Sequence, residues 1–204
     1  MALRKKPLAA LEKFIPRGTF DYIVTYLERY SIKLSITKER KTKYGDYRPP
    51  QKGQTHRISV NGNLNQYHFL LTLVHELAHL VAFDQYGFSI QSHGAEWKDT
   101  FQTLLSPLLK PEIFPPDLLH AVQLSMQNVK SSSCYDPTLS LALRKYDNKP
   151  TGTMIKDLPL GSLFVSADQK EYKLLNKRRT RYEAVQTLTN KHYLFPALYE
   201  VEKL

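Results

Sequence analysis

Residues 71–83 read LTLVHELAHLVAF, two histidines and a glutamate set inside an otherwise apolar stretch. Leu73, Leu77, Leu80 and Val81 recur at helical spacing and supply a core-facing stripe, so the segment is a buried helix. Burying ionisable groups is costly unless something specific compensates them. His75 and His79 are four residues apart, close to one helical turn, so their imidazoles lie one above the other and can grip a single ion. Glu76, one residue on, can act on a water beside that ion without joining its ligands. This is the H-E-x-x-H arrangement, in which two histidines hold zinc and the glutamate serves as general base. At this chain's histidine and glutamate content the pattern arises by accident in roughly 1% of chains of its length.

Catalytic zinc needs a third protein ligand and one position left for water. Metzincin spacing would put glycine at position 82 and histidine at 85; the chain has Ala82 and Gln85. His93, in SHGAEWK, follows the Gly87 break and opens the next helical stretch, so a fold-back between two helices returns it to the ion. Glu96, three residues later, is the alternative ligand. Trp97 is expected to pack the two helices together. His56, His68, His120 and His192 stand at no ligand spacing and read as structural or surface residues.

Around this helix the chain reads as helices, strands, helices and again strands, an α+β order. Phe20, Ile23, Val24 and Leu27 mark a leading helix. SIKLSITKER and HRISVNGN alternate as strands, with a glycine turn and a Pro-Pro stop between them that suit a hairpin arm. The spacing predicts helices ending at Gly87, across SHGAEWKDTFQTLLSPLL and across PPDLLHAVQLSM. Residues 131–157, with Leu139, Leu141 and Leu143 alternating, read as a connector. It separates a domain over residues 1–130 from a small antiparallel β-module over 158–204.

A single cysteine, Cys134, excludes an internal disulfide framework and favours a reducing compartment. The opening MALRKKPLAALEKFIP has too short an apolar stretch for a signal peptide. The longest apolar run, residues 67–83, contains His75, Glu76 and His79, which argues against a membrane span. A cytoplasmic protein with no membrane partner is expected. The net charge of +10 divides as +9 over residues 1–60, −3 over 61–130 and +4 over 131–204. LRKK, KERKTKY and NKRRTRYEAV interleave cations with aromatics, which suits phosphate contact and base stacking. Lys41, Lys43, Arg178, Arg179 and Arg181 are the candidate contacts and DNA the candidate partner. Solvated strand faces explain the same charges.

With H-E-L-A-H and then, fourteen residues on, H-G-A-E-W-K, the chain resembles the SprT-like family, which includes the Spartan-type proteases that cut proteins crosslinked to DNA. The likeness runs over most of residues 15–110: the leading helix, a strand pair with a YGDY turn, HRISVN and the motif helix. It implies a zincin-like metalloprotease domain with a small antiparallel sheet. There His75, His79 and His93 bind one catalytic zinc ion and Glu76 is the base. The implied activity is a zinc-dependent endopeptidase acting on protein, with DNA-associated or DNA-crosslinked proteins as the narrower expectation. Many relatives carry a C-terminal zinc ribbon with four cysteines, and this chain has none after Cys134. Its last module resembles that ribbon without its cysteines, with Phe164, Tyr172, Tyr182, Tyr193 and Phe195 as core in place of metal. Two other classes stay open: a non-enzymatic DNA-binding or adaptor protein with a structural zinc, and a general cytosolic metallopeptidase unrelated to DNA. For a peptidase, a strand over residues 55–61 is expected to pair with extended substrate. Tyr44 and Tyr47 are candidates to stabilise the oxyanion. The substrate protein and the oligomeric state stay open.

Overall fold

The computed structural model describes residues 8–40, 43–51, 53–129, 136–147 and 152–204. It divides into two compact units, Met1–Asn148 and Lys149–Leu204. In the first, helix α1 (Phe20–Arg29) buries Ile23, Val24 and Leu27 along one face, as the spacing predicts. Three strands follow: β1 (Lys33–Thr37), β2 (Gly45–Arg48) and β3 (Arg57–Asn61). β3 lies in the middle, parallel to β1 and antiparallel to β2.

That arrangement corrects the expected antiparallel sheet and its hairpin arm. The two alternating segments do pair, Leu34 beside Ile58 and Ile36 beside Val60, but in the same direction. YGDY is not a turn; Gly45 opens β2. Alternation shows which face of a strand is buried and carries no information about its direction.

Helix α2 (Gln66–Tyr86) carries the histidine motif. Asn65 caps it, its Oδ1 accepting from the amides of Tyr67 and His68. Gly87, at φ 67°, ends it in the left-handed region that a side chain would strain. α3 (Ala95–Leu105) and α4 (Pro116–Gln127) complete the expected helices. Phe69, Leu70, Leu73, Val74, Leu77 and Leu80 put α2 at the centre of the unit's core.

A fifth helix, α5 (Pro137–Arg144), stands where a connector is expected. Asp136 caps it, Pro137 occupies its first turn, and Leu139, Ala142 and Leu143 face the core. Leu139 and Leu143 therefore belong to a helical stripe, and Leu141 turns outward. α5 is part of the first unit, where Asn65 Nδ2 donates to Leu143 O (2.9 Å) and to Asp147 Oδ1 (2.7 Å). The Tyr146 hydroxyl donates to Asp117 on α4 at 2.6 Å. Cys134 lies outside the described residues.

The second unit is a sheet of six strands: β4 (Thr153–Met154), β5 (Leu163–Val165), β6 (Glu171–Lys177), β7 (Arg181–Gln186), β8 (His192–Pro196) and β9 (Glu200–Lys203). Their order is β4-β9-β5-β6-β7-β8, every neighbour antiparallel. Phe164, Tyr172, Tyr182 and Phe195 form its core with Ile155 and Leu174. Tyr193 sits at the rim, 37% exposed, edge-on to Tyr172. No described helix is long and apolar enough to cross a membrane.

Candidate metal centre

Two helices bring three imidazoles to one point. His75 and His79 lie one turn apart on α2, and the chain folds back so that His93 meets them just ahead of α3. His93 does not open that helix, as expected, but precedes its Gly94 cap with φ 60°. A non-glycine residue in this region is strained, and such strain persists where packing over-determines it, often at functional sites. The Nε2 atoms stand 3.1 Å apart for His75 and His79, 2.9 Å for His79 and His93, and 3.2 Å for His93 and His75.

Hydrogen bonding alone cannot satisfy this triangle. A neutral imidazole Nε2 either carries a hydrogen or offers a lone pair. Three atoms in two states leave at least two alike, so at least one of the three contacts is repulsive. A cation accepts all three lone pairs. Tetrahedral zinc with Zn–N near 2.0–2.1 Å separates its nitrogens by about 3.3 Å, close to the observed spacing. Burial favours the neutral, ligating form: the pKa of His75 is pushed down to about 3 and that of His79 to about 4, the neighbouring imidazoles adding to the effect. His93 is lowered too, by burial. These three residues could hold a metal ion. Glu96, the alternative ligand, is not in the cluster; it lies in the first turn of α3.

Glu76 is one residue from His75 and points elsewhere. The histidines turn toward α3, and Glu76, 6% exposed, turns toward β2. A Cβ at Gly45 would overlap Glu76 Oε1 and stand 2.8 Å from both Glu76 Cγ and Thr72 Cγ2. Only glycine lets the strand come this close. The Tyr47 amide donates to the Glu76 carboxylate. Burial pushes the Glu76 carboxyl up to about 8 and Asp46 adds to this, while the Tyr47 amide, Arg40 and Lys43 oppose it. A cation at the histidine triangle would draw that value down again.

A SprT-like family model matches residues 9–113, just over half of the chain. The chain belongs to the SprT-like family. No curated protein and no solved structure matches it. The SprT-like match ends before α4 and α5, although α5 holds the cap of the motif helix.

The other expected residues fare unevenly. The Tyr47 hydroxyl lies 3.0 Å from His56 Nδ1, and the Tyr44 ring packs edge-on against His68. Residues 55–61 cannot take up a substrate strand as expected, because β3 is paired on both sides. Of the candidate nucleic-acid contacts, Lys41 lies outside the described residues. Lys43 is paired with Asp46 at 2.7 Å. Arg178 is held by Glu183, through Nε at 3.0 Å and a terminal nitrogen at 2.8 Å. Arg179 and Arg181 are exposed, and no ion pair engages them among the described residues. The roles of Gly45 and of the Tyr47 amide escape sequence reasoning, and the one signal available was a glycine just ahead of an alternating strand.

Proposed function

We propose that this SprT-like chain is a zinc-dependent endopeptidase. The observation that carries the reading is the triangle of three imidazoles, two of them on a helix that also carries Glu76, a buried carboxyl held by a strand amide. His75, His79 and His93 would hold the ion. When bound, zinc supplies Lewis acidity, which makes water a nucleophile near neutral pH and polarises a carbonyl. Glu76 takes the proton of the attacking water and delivers it to the leaving amine. The Tyr47 amide fixes the orientation of that carboxylate. A site of purely structural zinc has no use for a buried base in this position, which disfavours the non-enzymatic alternative.

β2 presents the substrate. It is an edge strand, with β3 on one side and no described strand on the other. The Asn61 amide donates to Tyr44 O at 2.8 Å, so antiparallel alternation turns the backbone polar groups of Gly45 and Tyr47 away from β3. The Tyr47 amide is engaged by Glu76, so an extended peptide laid along that edge gains its main-chain hydrogen bonds from Gly45 and the Tyr47 carbonyl.

The deciding experiment is Glu76→Gln in the full chain, assayed for bound zinc and for cleavage of an unfolded protein. Zinc should remain stoichiometric and cleavage should fall by about 10²–10⁴-fold. Undiminished proteolysis would refute the mechanism. A second reading places the substrate on DNA, supported by the exposed Arg179 and Arg181. Comparing cleavage with and without DNA separates that reading from a general metallopeptidase.

A further inference from the structure

Trp97 is the chain's single tryptophan and is 1% exposed. Its ring centroid lies 4.7 Å from that of His75, 5.2 Å from His79 and 4.6 Å from His93. Phe101 stacks behind it at 5.3 Å, with 9° between the planes. Helical spacing produces this arrangement. His75 and His79 form a row on α2, Trp97 and Phe101 form a facing row on α3, and His93 stands just ahead of α3.

Filling space does not account for the residue. Trp97 Nε1 is buried and has no hydrogen-bond partner among the described residues. A buried donor left unpaired is costly, and an aliphatic side chain such as leucine would fill volume without one. Ligand histidines are ordinarily oriented by a hydrogen bond from their second ring nitrogen to a carboxylate or carbonyl. Here, among the described residues, the one such contact is between Ser92 Oγ and His93 Nδ1, at a long 3.4 Å. What orients the rings instead is aromatic contact. His75 and His93 meet the indole edge-on, at 60° and 84°, and His79 lies tilted at 33°. Edge-to-face contacts favour particular angles, so a fixed indole selects ring orientations as a hydrogen bond would.

We propose that Trp97 is the positioning residue of the metal centre: its indole, braced by Phe101, holds all three imidazoles in ligating orientation. The inference rests on the zinc-binding part of the proposed function. Rings already oriented do not have to be ordered by the arriving ion, which raises affinity without adding a ligand.

The test uses the full chain and two substitutions, Trp97→Phe and Trp97→Leu. Zinc affinity is measured by competition with a chromophoric chelator, the visible spectrum is recorded with Co²⁺, and melting is followed in excess chelator. Trp97→Phe should stay within about threefold of the wild type, and Trp97→Leu should weaken zinc by about 10–100-fold with an altered Co²⁺ spectrum. Wild-type affinity in Trp97→Leu overturns the proposal. So do losses in both variants that merely track their metal-free melting temperatures. A wild-type measurement stands even if a variant fails to fold: Co²⁺ binding should quench the single-tryptophan emission with the same midpoint as its absorption, and unquenched emission overturns the proposal. A wild type that binds no zinc at all would instead defeat the metal reading beneath it.

Discussion

A side chain at Gly45 of β2 would enter space already taken by Glu76 and Thr72 of α2. Alanine at this position must push either the strand or the carboxylate aside. Misplacing a catalytic group by about 1 Å can cost on the order of 10²-fold in rate. Gly45→Ala should therefore lower kcat/KM by about 10²-fold, with zinc affinity unchanged, since the histidines face α3. Equal activity in the variant would show that the strand yields easily. His68 offers a pH test on the same helix. Burial holds its pKa at about 4, against about 6.5 in the unfolded chain. The folded state thus binds fewer protons, and the stability this represents is full above pH 6.5 and lost as pH falls toward 4. His68→Gln should flatten the melting temperature of the metal-free protein across that window by comparison with wild type. The H-E-x-x-H residues were legible because ligand spacing and helical period coincide. Gly45 was not, because its requirement comes from a neighbour distant in sequence.

At the level of elements, the motif helix depends on a segment that the sequence pattern presents as a connector. Asn65 caps α2 with its oxygen and ties α5 with its nitrogen, through Leu143 O and Asp147. Its loss removes a cap, worth about 0.5–2 kcal/mol, and the buried hydrogen bond to Leu143 O, which then keeps the Tyr146 amide. Asn65→Ala should destabilise the first unit by about 2–3 kcal/mol in urea unfolding while the folded protein keeps its zinc affinity. A change below about 0.5 kcal/mol would mean that α5 is dispensable to α2. The eight-residue α5 escaped sequence reasoning because Leu139, Leu141 and Leu143 mimic a strand, and only burial separates the outer one from the other two. The long helices were legible because several turns repeat the same stripe. The parallel pairing of β1 with β3 was not, since alternation is the same in either direction.

Across the whole molecule, the positive charge divides as +6 over residues 1–148 and +4 over 149–204. Sequence shows where cations cluster and not which are already spoken for. In NKRRTRYEAV nothing distinguishes Arg178 from its neighbours, yet Glu183 holds it through two nitrogens, and His192 also contacts that carboxylate at 2.9 Å. Arg178 is committed to the sheet, and Arg179 and Arg181 are the cations an anionic backbone would meet. Each phosphate contact contributes about one unit to the slope of log affinity against log salt. Arg179→Ala with Arg181→Ala should weaken single- or double-stranded DNA binding at low salt and reduce that slope by about 2. Arg178→Ala should act differently, lowering the melting temperature by releasing Glu183, whose carboxyl His192 and, less strongly, Arg178 hold below its usual range. Lys43→Ala, on a residue paired with Asp46, serves as the comparison in the other unit. Binding that is absent at low salt, or that the double substitution leaves unaltered, would remove nucleic acid from the account and leave the metal centre to act on protein alone.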